Sequence, residues 1–209
     1  MRVRKSAEAR KAEIVEATLR LADKLGPDRL TTETIAEAVG LTQPGIFRHF
    51  PRKQDLWEAV AARVGSMMEA RWKKAQCSDA PSTDRIRALI CAQLRLIQST
   101  PAILSILFSR ELHTKNEGLR SAFFGLMSRF HKIIAAHVAQ ARATSELRDD
   151  LDPDDVAFLI IGLVQGLAMR WSISGRNFDL AEEGSRLLEL QLKSLALGRS
   201  GVHGERGAS

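Results

Sequence analysis

Cysteine is nearly absent: the 209 residues hold two, Cys77 and Cys91, and their spacing makes neither a metal-binding nor a redox motif. A disulfide framework is thereby excluded, and a reducing cytoplasm is the expected setting. Long hydrophobic runs are missing as well. The most apolar stretch, Val156 to Met169, has 14 residues, too few to cross a bilayer core of roughly 30 Å. It reads as a buried helix, and no membrane partner is expected. The charged start, MRVRKSAEARK, has no apolar run behind it, so no secretory leader is expected. Strand-like alternation and internal repeats are lacking too. Paired carboxylates, a glycine-rich phosphate loop and a nucleophile motif are all absent, and the acidic run RDDLDPDD at 148–155 reads as a linker. His131 and His137, six apart, do not share a helix face as metal ligands would. Enzyme activity, cofactor and metal are therefore not expected.

What remains is apolar, basic and helical. Hydrophobic residues make up 44% of the chain, enough for the core of one or two domains. Lys and Arg number 31 against 25 Asp and Glu, a formal charge of +6. Residues 1–56 carry 11 basic and 8 acidic side chains, and residues 57–209 carry 20 and 17. Equal excess charge thus sits on about a quarter of the length. That suits a phosphate-facing module, although an ordinary solvated surface would look the same.

The most informative stretch is TTETIAEAVGLTQPGIFRHFPRK, Thr31 to Lys53. Ile35, Ala36 and Val39 recur at helical spacing, then Ile46 and Phe50 do so again. Gly40-Leu41 lies between them, where the first helix must stop and the chain bend back. Ala36 leaves room for a steep crossing. Thr42 suits the N-cap of the second helix, and Pro44 is tolerated because it falls in the first turn. This is a helix-turn-helix over about 32–51, with its second helix bound for the DNA major groove. There Gln43 can present a bidentate amide to adenine, and Gly45 lets the backbone approach closely.

The continuation makes a family resemblance. GLTQPGIFRHFPRKQDL resembles the signature of the tetracycline-repressor (TetR) family of transcription regulators: an aromatic, any residue, His-Phe, a short turn and a Lys. Those positions are Phe47, His49, Phe50 and Lys53. The motif covers the first quarter of the chain; the remainder resembles the family only in length and all-helical layout. The resemblance implies that Gln43, Pro44 and Gly45 face bases, and that Thr32, Thr42, Phe47, His49 and Lys53 hold phosphates. One departure matters: the family's usual tyrosine is Phe47, and the chain has no tyrosine. One phosphate contact is then missing, and Arg48 is positioned to compensate. Glu33 either accepts from a cytosine amino group or repels phosphate. His49 is either a phosphate contact or a core residue, while Phe50 reads as core. Ahead of this module, Arg2, Arg4, Lys5, Arg10 and Lys11 form either a DNA-tracking arm or a solubilising tail.

The rest of the chain is read as all-α, about nine helices in total. The first helix spans Ala7 to Leu25, with Ile14, Ala17, Leu21 and Leu25 as its stripe. The fourth runs from Lys53 to about Ala75, before the turn-rich QCSDAPST at 76–83. Further helices are expected over Asp84 to Ser99, Pro101 to Leu112, Asn116 to Ala143, Val156 to Ser174 and Leu180 to Leu197. Residues 1–56 make the DNA-binding domain, 57–197 a ligand-binding and dimerisation domain, and 198–209 a Gly- and Ser-rich disordered tail. Gln93, Phe124 and Gln165 are candidate pocket residues; the two glutamines are equally readable as satisfied core amides and the phenylalanine as core. Gly162 and Gly166, with the stripe Leu188, Leu192 and Leu195, suggest that the last two helices dimerise or else pack within one chain, and the resemblance favours the dimer. The function implied is a homodimeric repressor on palindromic double-stranded DNA, released by a small molecule. The alternative is a helix-turn-helix scaffold working through a protein partner without inducer.

Overall fold

The computed structural model describes residues 6–76 and 79–197. Among these there are ten α-helices and no strand: α1 (Ala7–Leu25), α2 (Thr32–Ala38), α3 (Gln43–His49), α4 (Lys53–Ala75), α5 (Ser82–Ser99), α6 (Ala102–Leu107), α7 (Arg110–Lys115), α8 (Glu117–Ala143), α9 (Pro153–Ile173) and α10 (Leu180–Leu195). A single 3-10 turn, Pro27–Arg29, joins α1 to α2. Arg2, Arg4 and Lys5 of the expected arm, Cys77 and the tail at 198–209 lie outside the described residues.

A small head, α1 to α3, sits on a larger helical body, and α4 belongs to both. It packs on α1 at one end and on α5 and α8 along its length. In α1 the buried stripe runs through Ile14, Ala17, Thr18 and Ala22, so Leu25, one turn beyond at the helix end, is exposed instead of buried. The single helix expected from Pro101 to Leu112 is two, α6 and α7. Ser109 divides them: its hydroxyl accepts the Leu112 N–H at 3.0 Å, capping α7, and donates to Asp28 in the head at 2.6 Å.

The apolar stretch read as a short buried helix is longer and only half covered. Asp152 accepts the N–H groups of Asp154 and Asp155, which starts α9 at Pro153. The helix has 21 residues with a window of mean hydropathy 1.7, of which 44% is buried, so by length and composition it could cross a bilayer. Here it lies against α8 and α10; Leu159, Gly162 and Gly166 are exposed, as is Phe158, whose ring edges onto His131 of α8 at 4.4 Å.

The leucine stripe of α10 faces inward, which corrects the expected interface. Leu188, Leu192 and Leu195 are 1%, 2% and 9% exposed, on a helix whose main partner is α5 of the same chain. A helix with one strong apolar stripe buries it against its own subunit first. The close approach falls at Gly184: a Cβ there would collide with Leu94 of α5 and stand 3.3 Å from Leu167 of α9.

One carboxylate ties the far end of the body together. Glu146 follows α8 and accepts the N–H groups of Ser82 and Thr83 at 3.0 and 2.9 Å, as well as the hydroxyls of Thr83 and Thr144. It caps the N-terminus of α5, where backbone donors lack partners and the helix dipole favours negative charge. Burial pushes its carboxyl up, but the bonds from Thr83, Thr144 and Ser82 outweigh burial and lower it to about 2.

An unfolded glutamate titrates near 4.5, so this carboxylate stabilises the fold above that pH and ceases to do so as pH falls toward about 2. Glu146→Gln is expected to lower stability at neutral pH by about 1.5–3 kcal/mol, the range for hydrogen bonds to a charged group. The difference from wild type should narrow below pH ~4. Urea unfolding followed by circular dichroism across that range checks it; equal stability at neutral pH would remove the cap's contribution.

Candidate nucleic-acid interface

Two short helices cannot hold a fixed angle unless their ends and their crossing are both set. The turn between α2 and α3 does the first. Gly40, at φ 63°, takes the left-handed conformation, which lets its N–H reach Glu37 O at 3.1 Å and the Leu41 N–H reach Ala36 O at 2.9 Å. Thr42 then caps α3 by accepting the Gly45 N–H at 3.3 Å. Burial does the second: Ile35, Ala36, Val39, Ile46 and Phe50 lie at 0–7% exposure against α1. The outer surface of α3 is left with Thr42, Pro44, Phe47 and Arg48 exposed and Gln43, Gly45 and His49 half-buried. Arg48 and His49 also complement the C-terminal end of the helix dipole.

The residues expected to hold phosphates divide. Thr42 and Phe47 are at the surface, and Phe47 is 38% exposed. Thr32 is 7% exposed, and its hydroxyl accepts from Gln43 Nε2 at 2.9 Å, so that hydroxyl is engaged inside the head. Lys53 stands at the start of α4 with its ammonium donating to the Leu30 carbonyl at 2.5 Å, which ties the entry of α2 to α4. The neighbouring Arg52 backbone N–H is met by Asp55 at 2.9 Å. The bonds of Thr32 and Lys53 join different elements and have no sequence signature, whereas the Arg52–Asp55 bond is a local cap at the start of α4.

Sequence reasoning also missed what Glu33 does. Its carboxylate, in the first turn of α2, accepts from the Gln43 amide of α3. The hydrogen bond from its own backbone N–H, then the Thr31 hydroxyl, hold this carboxyl below the ordinary range. The signal was faint: two polar residues at the N-termini of two helices that cross.

The candidate pocket residues are not brought together. Phe124 is 74% exposed on α8, which removes it from any interior pocket. Gln93 is buried, and its Oε1 accepts the Trp72 indole N–H at 2.8 Å. Trp72 in turn stacks on Phe130 at 4.8 Å. Gln165 is half-buried on α9 and shares no hydrogen bond with Gln93. Alternating apolar and polar residues on a helix do not reveal which neighbour fills the space opposite. Grooves occur on either side of α4: about 260 Å³ between α4 and α8, lined by Glu58, Gly65, Phe123 and Arg129, and about 190 Å³ at the head–body junction, lined by Asp28, Lys53, Trp57 and Asn116.

Two family models match the chain. "Bacterial regulatory proteins, tetR family" covers residues 14–60, and "Tetracyclin repressor-like, C-terminal domain" covers 82–182. The HTH-type transcriptional regulator TtgR of Pseudomonas putida is 28% identical over 206 residues, 94% of this chain and 96% of that protein. The nucleoid occlusion factor SlmA of Vibrio cholerae is 25% identical over 191 residues, covering 88% and 96%. Among solved structures, the regulator FadR from Bacillus subtilis in complex with stearoyl-CoA superposes with a TM-score of 0.74 at 18% identity, covering 88% and 98%; this likeness is one of fold.

Because Phe47 is partly exposed, a hydroxyl added to its ring meets solvent or a DNA phosphate. Phe47→Tyr is expected to tighten DNA binding by about 1 kcal/mol, one net hydrogen bond, with fold stability unchanged. Fluorescence anisotropy on a labelled duplex and a thermal melt together check this. A lower melting temperature would make the ring a core element.

Proposed function

Because the chain belongs to the TetR family of bacterial regulatory proteins and is a DNA-binding transcriptional regulator, we propose that it is a homodimeric repressor released from a palindromic operator by a small ligand. The observation that carries the dimer is the bare face of the last two helices. Phe158, Leu159 and Ile173 of α9 and Leu190 of α10 are 65%, 58%, 78% and 56% exposed. Gly162 and Gly166 lie among them with nothing within 4 Å of where a Cβ would stand. An apolar face of this kind marks an interaction site in a water-soluble chain, and two glycines four apart let a second copy's helix come close. Two heads placed roughly 34–36 Å apart would then meet successive major grooves on one side of the duplex.

Release needs a body that can move the heads, and α4 is the connection. A ligand that binds better to a body with wrongly spaced heads weakens DNA binding by that difference in affinity, and no further. The grooves beside α4 and the stearoyl-CoA complex of a regulator with the same fold support a ligand-responsive reading. A second reading, a scaffold acting through a protein partner, is supported by the Trp72–Gln93 bond, which pairs the carbonyl oxygen of a core amide without a ligand, and by the likeness to SlmA.

Selecting duplexes from a random-sequence library tests the main reading: enriched fragments should carry a two-fold symmetric site. Fragments with no symmetry would count against a dimer of heads. Gly166→Leu meets open space within the subunit, so it should leave the helical content unchanged while producing monomers in sedimentation, with any fall in melting temperature that of losing the partner. Affinity for the full site should then fall toward the non-specific range, on the order of 10⁻⁴ to 10⁻⁶ M. A variant that stays dimeric would move the interface off this face.

A further inference from the structure

We propose that Glu33 decides which base Gln43 reads: by holding the glutamine's amide hydrogens it turns that side chain into a pure acceptor, which selects an exocyclic amino group, of adenine or of cytosine. This rests on the reading of α3 as the helix that enters the major groove, and it replaces the bidentate glutamine–adenine contact that the sequence suggests.

The chemistry of the partners forces the orientation of the amide. A carboxylate can only accept, so the atom of Gln43 that meets Glu33 Oε1 must be the nitrogen. The same nitrogen lies 2.9 Å from Thr32 Oγ1, and the Thr32 hydroxyl can send its own hydrogen to Glu33 Oε2, 3.5 Å away. An amide nitrogen has two hydrogens. One goes to Thr32 and the other to Glu33, leaving none for a base. What Gln43 can still offer is Oε1.

Bidentate reading of adenine needs both ends of the amide: Oε1 to accept from N6 and Nε2 to donate to N7. With the nitrogen held, only the first contact remains. Cytosine supplies an equivalent donor through its N4 amino group, whereas guanine presents N7 and O6 and thymine presents O4, all acceptors. The two amino bases therefore become alike to this residue, and the other two are rejected. The lock is built into the fold. Thr32 is buried and Glu33 stands at the surface beside it, and the helices that carry the three side chains are fixed by the turn at Gly40 and by the crossing at Ala36. Glu33 is kept charged by its place at the start of α2, where its backbone N–H and Thr31 hold its carboxyl below the ordinary range.

The test uses the full chain on duplexes enriched from a random-sequence library, with Gln43→Ala marking the base position whose preference disappears. At that position wild type should bind adenine and cytosine within about threefold of each other, well under the cost of a mismatched pair, and should bind guanine and thymine more weakly. It should also be indifferent to 7-deazaadenine, which lacks the N7 acceptor. Glu33→Ala frees one amide hydrogen, so adenine should then lead cytosine by roughly five- to a hundredfold, and 7-deazaadenine should abolish that lead. Ratios between duplexes cancel the general gain from removing a negative charge near phosphates. Glu33→Gln, whose side-chain oxygen still accepts, should keep the wild-type profile. A wild type that prefers adenine over cytosine and weakens on 7-deazaadenine overturns the inference and leaves DNA binding standing. So does a preference for guanine or thymine, a Glu33→Ala profile like that of wild type, or loss of the profile in Glu33→Gln. If no duplex is enriched at all, the DNA-binding reading itself fails.

Discussion

One helix has to serve two cores. The inner side of α4 is a single stripe, Leu56, Trp57, Val60, Ala61, Val64, Met68 and Trp72, all buried. Its first turns close the head against α1, and its remainder fills the body between α5 and α8. Close-packed interiors transmit displacement because they have little free volume to absorb it. Movement of the head against the body therefore requires repacking along α4 and where α1 meets α6. Polar ties reinforce the arrangement: Ser109 to Asp28, Gln54 to the Lys115 carbonyl at 3.2 Å, and Arg63 to Glu16 at 2.6 Å. A single exposed ion pair adds little energy, but together with the two hydrogen bonds it restricts how the two parts can tilt.

Some of the body's buried polar groups are paired within it, while His113 Nδ1, Asn116 Nδ2, His137 Nε2, Arg142 Nε and Gln191 Oε1 are buried with no partner among the described residues. Burying an amide without a partner costs roughly 1–3 kcal/mol in proteins, and in this core the Gln93 carbonyl oxygen and the Trp72 indole N–H pair with each other. Glu146 meets the open end of α5 in the same manner. Each bond joins elements far apart in the chain, Trp72 with Gln93 across 21 residues and Glu146 with Thr83 across 63. They select one packing of the helices out of many with similar apolar burial. The apolar surface left over is concentrated on α9 and α10, and Phe158 at its edge lies against His131 of α8.

In the head, the same demand for satisfied polar groups shapes the DNA-facing surface. Gln43, Thr32 and Glu33 satisfy one another across the two crossing helices. A recognition surface whose donors are already held is pre-organised, so little side-chain freedom is lost on binding. The donor and acceptor pattern that α3 presents is then set by residues of α2 as well as by its own.

Local rules in the sequence determined the helix-turn-helix and most helix ends. Ala36, Gly40, Thr42 and Pro44 specify their turn because caps, left-handed glycine and N-terminal proline act over a few residues. The expected limits of the first and fourth helices, Ala7 to Leu25 and Lys53 to Ala75, coincide with those observed for the same reason. The tertiary structure decided everything that depends on which helix lies opposite. Periodicity marked Leu188, Leu192 and Leu195 as one apolar face, yet only the position of α5 shows that this face is internal. Gly162 and Gly166 drew attention by their spacing, whereas the close crossing is made by Gly184, because Leu94 of α5 packs there. Phe124 looked like core by residue type and is exposed because α8 turns that face outward. A residue's type and period state that it wants burial or a partner; its partner is chosen by packing between segments distant in the chain.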